Sequence, residues 1–485
     1  MAHDVEVLIV GAGPTGLAHA LWLTRAGVRV RIIDRQPEPG TASRAVGVAA
    51  RTLELYRQLG IADAVVAAGW KTPAINFWVR GTRAAHVEMA GMGEGQTPYP
   101  FELMFPQGAH EELLIRALGA AGVTVDRPRA LVSFTQDDAG VSATLDDGTT
   151  CRAAYLAGCD GAHSAVRELL GIGLPGGTYA QRFFVADLDG TGQVMDGELH
   201  ISLDTARFLA AFPLAVGRVR VVGNTLDDTT RWDEVAAGVT EHLHIEVSHV
   251  RDFSSYRVHH RVADEFRRGR AFLLGDACHL HSPAGAQGMN TGIGDAINLG
   301  WKLAAVLRGA PASVIDSYAP ERRGFANRLV ATTDRIFQLA TREGGVAEFI
   351  RTRIAPHALH AILGFDLTRQ AAFRVIGQLE IAYRDSELSA GKAGKLRGGD
   401  RLPWLAGADN FAPLASRAWQ LHVHGDASEA LRAAGLPLHV FAWDAAAEDA
   451  GFARDAAYLI RPDGYIGWAG EDADELAAYR ARVGA

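Results

Sequence analysis

A strand, a glycine turn and a helix open this chain, and that order constrains its fold more than any other feature. Residues 5–10 read VEVLIV, followed by GAGPTGLAHALWLTRAG and then VRVRIID. The apolar run, the turn glycines and the helical spacing of Leu17, Leu21 and Trp22 predict strand, tight turn and amphipathic helix. Gly27 marks the helix stop, and residues 28–33 return as a second strand. A βαβ unit of this length implies parallel strands and a right-handed crossover. Gly11, Gly13 and Gly16 form G-x-G-x-x-G at the carboxyl end of the first strand. Gly11 permits the tight turn, Gly13 lets backbone approach a pyrophosphate, and Gly16 permits close helix–strand packing. Pro14 and Thr15 sit inside the same turn, where free N–H groups and the positive helix end favour phosphate. Asp34 lies 23 residues after Gly11 and can accept hydrogen bonds from an adenosine ribose. An acid there favours an unphosphorylated ribose, as in FAD or NAD, over NADP in this site.

The remaining chain is too long for one such unit. At 485 residues, two to four domains are expected, and a 48% apolar content gives each of them core material. Residues 182–224 alternate with a period near two, which predicts a mixed or antiparallel sheet in a second domain inserted into the first. A hairpin turn is expected near Asp146–Gly148. A strand returns at 271–274, followed by a polar, glycine-rich loop over 275–292 and a helix over about 294–307. Residues 311–375 read as mostly helical, with a break at Pro356. GKAGKLRGGDRLP, within 389–409, reads as a linker or covering loop. From about 415 a smaller unit begins, with Asp463 and Gly464 as a hairpin turn.

Charge and cysteine content bound the partners. A net charge of −8 argues against dominant nucleic-acid or anionic-membrane binding, and no 18-residue uncharged apolar run marks a membrane span. Cys151, Cys159 and Cys278 form no CxxC and no four-ligand metal pattern, which fits a reducing, cytoplasmic setting. His279 and His281 lack a third ligand, so no metal is expected. Arg35, Arg44 and Arg51 could hold phosphate or polarise an electron-rich ring. Each alone fits a solvated face equally well, as Gln107 fits simple capping polarity.

Three segments now carry a resemblance: GAGPTGLAHALWLTRAG with Asp34, GCDGAHSAVR at 158–167, and GRAFLLGDACHLHSPAGAQGMNTGIGDAINLGWKLA at 269–304. SRAVGVAARTLELYRQLG at 43–60 joins them. Together they resemble the single-component, FAD-dependent aromatic hydroxylases of the p-hydroxybenzoate hydroxylase fold, over about 1–330 and more weakly to the end. The tail, with LIRPDGYIGW at 459–468, is similar to the thioredoxin-like C-terminal domain of polyketide-tailoring hydroxylases. It holds no cysteine, so thiol–disulfide exchange is excluded there.

The resemblance implies an α/β (α+β) architecture. A Rossmann-like FAD domain would span 1–175 and 265–385, with a helical extension. An interleaved mixed-sheet substrate domain would span 176–264, with contributions from about 70–105. A linker over 386–414 and the thioredoxin-like domain over 415–485 would follow. It implies that Gly11, Gly13, Pro14, Thr15, Gly16, Asp34 and Arg35 serve the ADP portion of FAD. Arg44 and Gln107 would touch the flavin or its linker, Asp160 would serve FAD and NAD(P)H together, and Asp276 would hold the ribityl or ribose side. Pro283, Gly285, Gly288, Met289 and Asn290 would line the isoalloxazine, with Arg44, Pro283 and Gly285 nearest the chemistry. Met104, Phe184, Phe212 and Pro213 are the candidates for an apolar substrate lining. The implied activity is NADPH- or NADH-dependent, O2-consuming hydroxylation of a small aromatic substrate through a flavin C4a-hydroperoxide, by a monomer or homodimer. The leading substrate class is a phenolic, polycyclic, polyketide-like compound, as in antibiotic biosynthesis. The alternatives are catabolic hydroxylation of a small phenol, inactivation of an aromatic antibiotic, and a non-catalytic FAD-binding redox protein.

Overall fold

Val5–Val10 occupies the middle of an eight-stranded sheet, because the unbroken apolar run from Val7 to Val10 can be covered on both faces. It pairs in parallel with Val30–Ile33 on one side and Thr150–Gly158 on the other, and Thr150–Gly158 pairs in parallel with Ala271–Leu273. Helix α1 (Pro14–Arg25) makes the expected crossover. The structure is a computed structural model and describes residues 3–40, 45–79, 81–202, 208–225, 231–281, 287–341 and 366–485. The expected break at Pro356 lies outside these residues. Helices α2 (Ala50–Gln58), α3 (Gln107–Ala120), α4 (Gly288–Leu307) and α5 (Tyr318–Thr341) complete the frame. The expected turn at Asp146–Gly148 joins the antiparallel strands Val141–Leu145 and Thr150–Gly158.

Helix α4 starts at Gly288, so the expected loop over 275–292 is shorter and the expected helix start near 294 is corrected. Glycines 288, 292 and 294 lower intrinsic helix propensity, and packing overrides it. A Cβ on Gly292 would enter the Thr15 hydroxyl, and one on Gly300 would lie 2.6 Å from Trp22 Cδ1. The small residues therefore let α4 lie directly on the first βα unit.

A second eight-stranded sheet contains Gly176–Gly192, Leu199–Ser202, Leu209–Ala215, Arg218–Thr225 and Ile245–Val262, together with Ala74–Val79 and Thr82–Glu88. It is antiparallel except where Leu199–Ser202 runs parallel to Ala74–Val79. Alternation sorts its side chains. Phe184, Ala186, Leu188, Ala211 and Val221 pack under the helix Ala236–Leu243, while Phe183, Val185, Val222 and Val258 take the opposite face. The long strand Ile245–Val262 did not stand out in the sequence.

The tail forms a six-stranded sheet backed by the helix Ala473–Val483. Asp463 and Gly464 turn between Ala457–Ile460 and Ile466–Gly470, as expected. Residues 390–397, which suggested a linker or covering loop, instead pair as a hairpin and join this sheet beside Ile466–Gly470. No helix among the described residues is long and apolar enough to cross a membrane.

Several histidines are sealed into these cores. Burial lowers His19 and His424 to about 4 and His110 to about 3. The unfolded chain takes up these protons below about pH 6.5, and the folded chain resists until near pH 4. Stability is therefore full above pH 6.5 and falls as pH drops through that window, by roughly 2 kcal/mol per histidine at pH 5. Urea unfolding at stepped pH should show this decline; a flat profile between pH 7 and 5 would contradict neutral burial.

Candidate functional site

The carboxyl ends of the three parallel strands converge on one cavity of about 420 Å³, which the second sheet covers. Gly13, Pro14 and Thr15 enter from the first strand, Gly161 and Ala162 from Thr150–Gly158, and Asp276 from Ala271–Leu273. A ligand site outside the carboxyl ends of such a sheet is the usual solution for this topology.

The three glycines of the turn differ in what surrounds them. Gly11 has φ +102°, and a side chain there would collide with the Cys159 carbonyl. A Cβ on Gly16 would overlap the Gly11 carbonyl, so α1 could not approach the turn. A Cβ on Gly13 would meet nothing within 4 Å, so the space in front of it is open. Gly13 is the N-cap of α1 with no side-chain cap, and Pro14 follows at the first turn. The orphan N–H groups of this helix thus face the cavity.

Asp34 ends the second strand. Its Oδ2 accepts from Ala12 N at 2.7 Å and its Oδ1 accepts from Gln36 N at 2.8 Å. Arg127, which no sequence signal marked, sits 3.1 Å from the same carboxylate and donates to the Ala12, Gln36 and Glu38 carbonyls. Arg35 is exposed and is not among the lining residues, and buried Arg51 pairs with Glu54 and the Asp463 carbonyl instead. Gln107 begins α3, lines the cavity and joins Ala45 to Glu111.

A second helix start faces the same space. Gly288 and Met289 line the cavity, and α4 also has no side-chain cap. Asn290 turns the other way: its Oδ1 accepts from Ala49 N at 2.9 Å and Thr52 Oγ1 at 2.8 Å, and its Nδ2 donates to Gly47 O. It fixes α4 against α2 rather than lining the cavity. Arg44, Pro283 and Gly285 lie outside the described residues. Ala45, next to Arg44, lines the cavity and accepts from Arg220, whose guanidinium grips Asp187 through two 2.7 Å bonds.

Asp276 is exposed to the cavity at a single turn, Gly275–Ala277, and buried Asp295 holds that turn. Asp295 Oδ2 accepts from Gly275 N at 2.9 Å and His279 Nε2 at 2.7 Å, and Oδ1 accepts from Arg322 Nε at 2.6 Å. Burial alone would raise this carboxyl, but Arg322 and His279 hold it below the usual range. Cys278, His279 and Asp295 come close enough for a metal. Asp295 already neutralises Arg322, burial pushes the Cys278 thiol well up, and His279 keeps only its buried Nδ1 without a hydrogen-bond partner. His281 lines the cavity rim.

Asp160 does not line the cavity. It accepts from Ser164 Oγ at 2.5 Å and Val166 N at 3.1 Å, capping the helix Ala165–Leu169, and burial raises its pKa. Its neighbours Gly161 and Ala162 are held in the lining through Arg167, which donates to Ala162 O and Ala277 O.

The sheet wall is built from Phe208, Phe212, Val222, Tyr256 and Val258. Of the expected substrate contacts only Phe212 belongs to it. Phe184 points to the other face and stacks on Phe253 at 6.1 Å, and alternation sends Pro213 away from Phe212. Met104 is buried in a short strand paired with Gly47 and Trp70. Sequence reasoning missed Tyr256–His259. The Y-R-V-H alternation at these positions was the available signal.

Comparison with known proteins fits this geometry. Residues 4–333 match a family model described as an FAD binding domain. The chain is 32% identical over 492 residues to a rifampicin monooxygenase of Streptomyces venezuelae, covering 97% of each. It is 37% identical over 419 residues to 6-methylpretetramide 4-monooxygenase of Streptomyces rimosus, covering 80% of this chain and 72% of the relative. A solved ternary complex of aklavinone-11 hydroxylase with FAD and aklavinone superposes with a TM-score of 0.80 at 26% identity, over 100% of both chains.

Proposed function

The chain belongs to the FAD-binding-domain family of flavin-dependent monooxygenases, and from that premise we propose that it hydroxylates a phenolic, polycyclic, polyketide-type substrate, with NADPH or NADH as reductant and O2 as co-substrate. One observation carries the reading: two helix N-termini without side-chain caps share one cavity with a wall that includes Phe208, Phe212 and Tyr256. The names of relatives acting on 6-methylpretetramide and aklavinone point to the same substrate class.

The residues present fit FAD. The open space at Gly13 and the free N–H groups of α1 suit its pyrophosphate, with Gly11, Gly16, Pro14, Thr15 and Asp34 around the ADP half. Gln107, Asp276, Gly288 and Met289 stand where the riboflavin half would follow. Bound FAD supplies the electron transfer and oxygen activation. The protein does the rest. The start of α4 favours negative charge on the cofactor edge nearest it. Phe208, Phe212, Val222 and Val258 hold a flat ring by apolar contact and keep water out.

His259 supplies a polar handle. Arg261 donates to Thr178 Oγ1 at 3.0 Å, and the same hydroxyl shares a 2.7 Å hydrogen bond with His259 Nδ1, which fixes the ring and leaves Nε2 for a substrate. Burial and then Arg261 lower the ring's pKa, which favours the neutral imidazole as a polar contact for a substrate oxygen. The cysteine-free tail, which we take as thioredoxin-like in outline, braces the fold and carries out no thiol–disulfide exchange.

Full-length likeness to the rifampicin monooxygenase favours a second reading, oxidative inactivation of a finished aromatic antibiotic. Substrate-stimulated NAD(P)H oxidation, screened with polycyclic phenols, small phenols and aromatic antibiotics, separates the classes. Phe212→Ala should raise KM for the best polycyclic substrate about tenfold, since the loss of one aromatic contact costs about 1–2 kcal/mol. Flavin content should not change. Phe184→Ala, on the other face, should leave KM alone and lower unfolding free energy by about 3 kcal/mol. An unchanged KM in Phe212→Ala would remove the sheet wall from the substrate site.

A further inference from the structure

Helices α1 and α4 present their N-termini to the flavin-side cavity, and their C-termini end at a different place. At 1.5 Å per residue these ends lie about 18 Å and about 30 Å along the two helices. There the tail meets the first βα unit and leaves a cleft of about 560 Å³. Its lining includes Arg25, Arg308 and Arg417 with Trp22, Trp301 and Trp419, and no acidic side chain among the described residues.

The charge here exceeds what the helices require. Basic residues at helix C-termini ordinarily offset the negative dipole end. Two such ends supply roughly one negative elementary charge against three guanidinium groups, leaving a surplus of about two positive charges. None of the three arginines has a carboxylate partner among the described residues. Asp463, which accepts from Trp301 Nε1, is already paired with Arg461 at 2.7 Å. Arg417 holds its place by donating to the Gln58, Ala415 and Arg25 carbonyls, from a left-handed backbone at φ +52°, and its buried Nε has no partner. Burial lowers the pKa of both Arg25 and Arg417, and Arg25 lowers Arg417 further. Like charges held this close are relieved by an anion between them.

The ring-binding part rests on Trp419. Trp22 and Trp301 are buried, at 1% and 2% exposure, and form the floor, while Trp419 is half-buried and meets Trp301 edge-on, with ring centroids 5.6 Å apart. One accessible indole and guanidinium planes together bind a flat ring by stacking and cation–π contact. We infer that this cleft binds a flat aromatic or heteroaromatic ring carrying a phosphate or carboxylate, at a site separate from the flavin-side cavity.

The test uses the full chain loaded with FAD. Tryptophan fluorescence and calorimetry follow titration with AMP, with 2-naphthoate, with their uncharged counterparts adenosine and 2-naphthol, and with inorganic phosphate. At least one of the two charged rings should bind with Kd below about 1 mM, about tenfold tighter than its uncharged counterpart and than phosphate. AMP alone binding identifies a nucleotide-type ligand, and 2-naphthoate alone an aromatic acid; either supports the site. Arg308→Glu and Arg25→Gln should each weaken binding about tenfold or more, with flavin spectrum and melting temperature unchanged. Arg308 is exposed, so Arg308→Glu keeps the test intact if Arg25→Gln folds poorly. No saturable binding of either ring, phosphate binding as tightly as the rings, or binding unaffected by Arg308→Glu would each overturn the assignment.

Discussion

Gly13→Val should yield a protein that folds as well as the parent and emerges without flavin. Gly13 has φ −77° and ψ −176°, an extended backbone that a β-branched residue adopts without strain. Its Cβ would touch nothing within 4 Å, so the unfolding free energy without cofactor should stay within about 1 kcal/mol of the parent. The same side chain fills the space a pyrophosphate needs, so FAD affinity should fall at least about a hundredfold, roughly 2.7 kcal/mol. Gly16→Val is the informative contrast. Its side chain would overlap the Gly11 carbonyl, and no flexible group is there to yield. It should cost about 3 kcal/mol of stability before any cofactor is considered. Urea unfolding of the flavin-free proteins, with FAD titration by fluorescence, reads both effects. If Gly13→Val retained FAD at the parent affinity, the phosphate turn would be misassigned.

Glu321→Ala should be among the most destabilising single substitutions in the chain. Glu321 stands on α5 and accepts from Lys302 on α4 at 2.7 Å, from Arg461 of the tail at 2.9 and 3.0 Å, from Asn298 at 2.7 Å and from Ser386 at 2.6 Å. Burial would raise this carboxyl, but Arg461 and Lys302 hold it far below the usual range. Lys302 itself is lowered to about 8, because burial outweighs the pull of Glu321. Removing the carboxylate strands two buried cations, of which only Arg461 keeps another carboxylate, Asp463. The expected loss is about 3–5 kcal/mol. Asp233→Ala removes an exposed pair, with both side chains 72% accessible, and should change stability by less than about 1 kcal/mol. Equal effects in the two variants would show that the buried cluster does not join the tail to the flavin domain.

What the sequence disclosed follows from how local each feature is. The βα turn was legible because Gly11, Gly13 and Gly16 answer to backbone geometry within one short segment. Asp295 and Arg322 were not, because their value comes from a contact between α4, α5 and the Gly275 turn that exists only after folding. Arg127 likewise reaches Asp34 from a distant loop. The start of α4 was misplaced because glycine propensity and packing point in opposite directions there. Phe184 shows how narrow the margin is in a sheet buried on both faces. A register difference of one residue moves a phenylalanine from one face to the other, and Phe183 and Phe184 are adjacent. Phe212, a candidate from the sequence, lines the cavity, while Tyr256, Val258 and His259 went unnoticed in a strand interrupted by charged residues.

Oxygen-isotope incorporation tests the central claim most directly. The FAD-loaded protein is supplied with NADPH or NADH and a polycyclic phenol under oxygen-18 gas in ordinary water, and the product is weighed by mass spectrometry. The product should carry one heavy oxygen atom on the ring and form only when flavin, reductant and substrate are all present. A product labelled from water, or reductant consumed only to make hydrogen peroxide with every aromatic substrate offered, would contradict the claim.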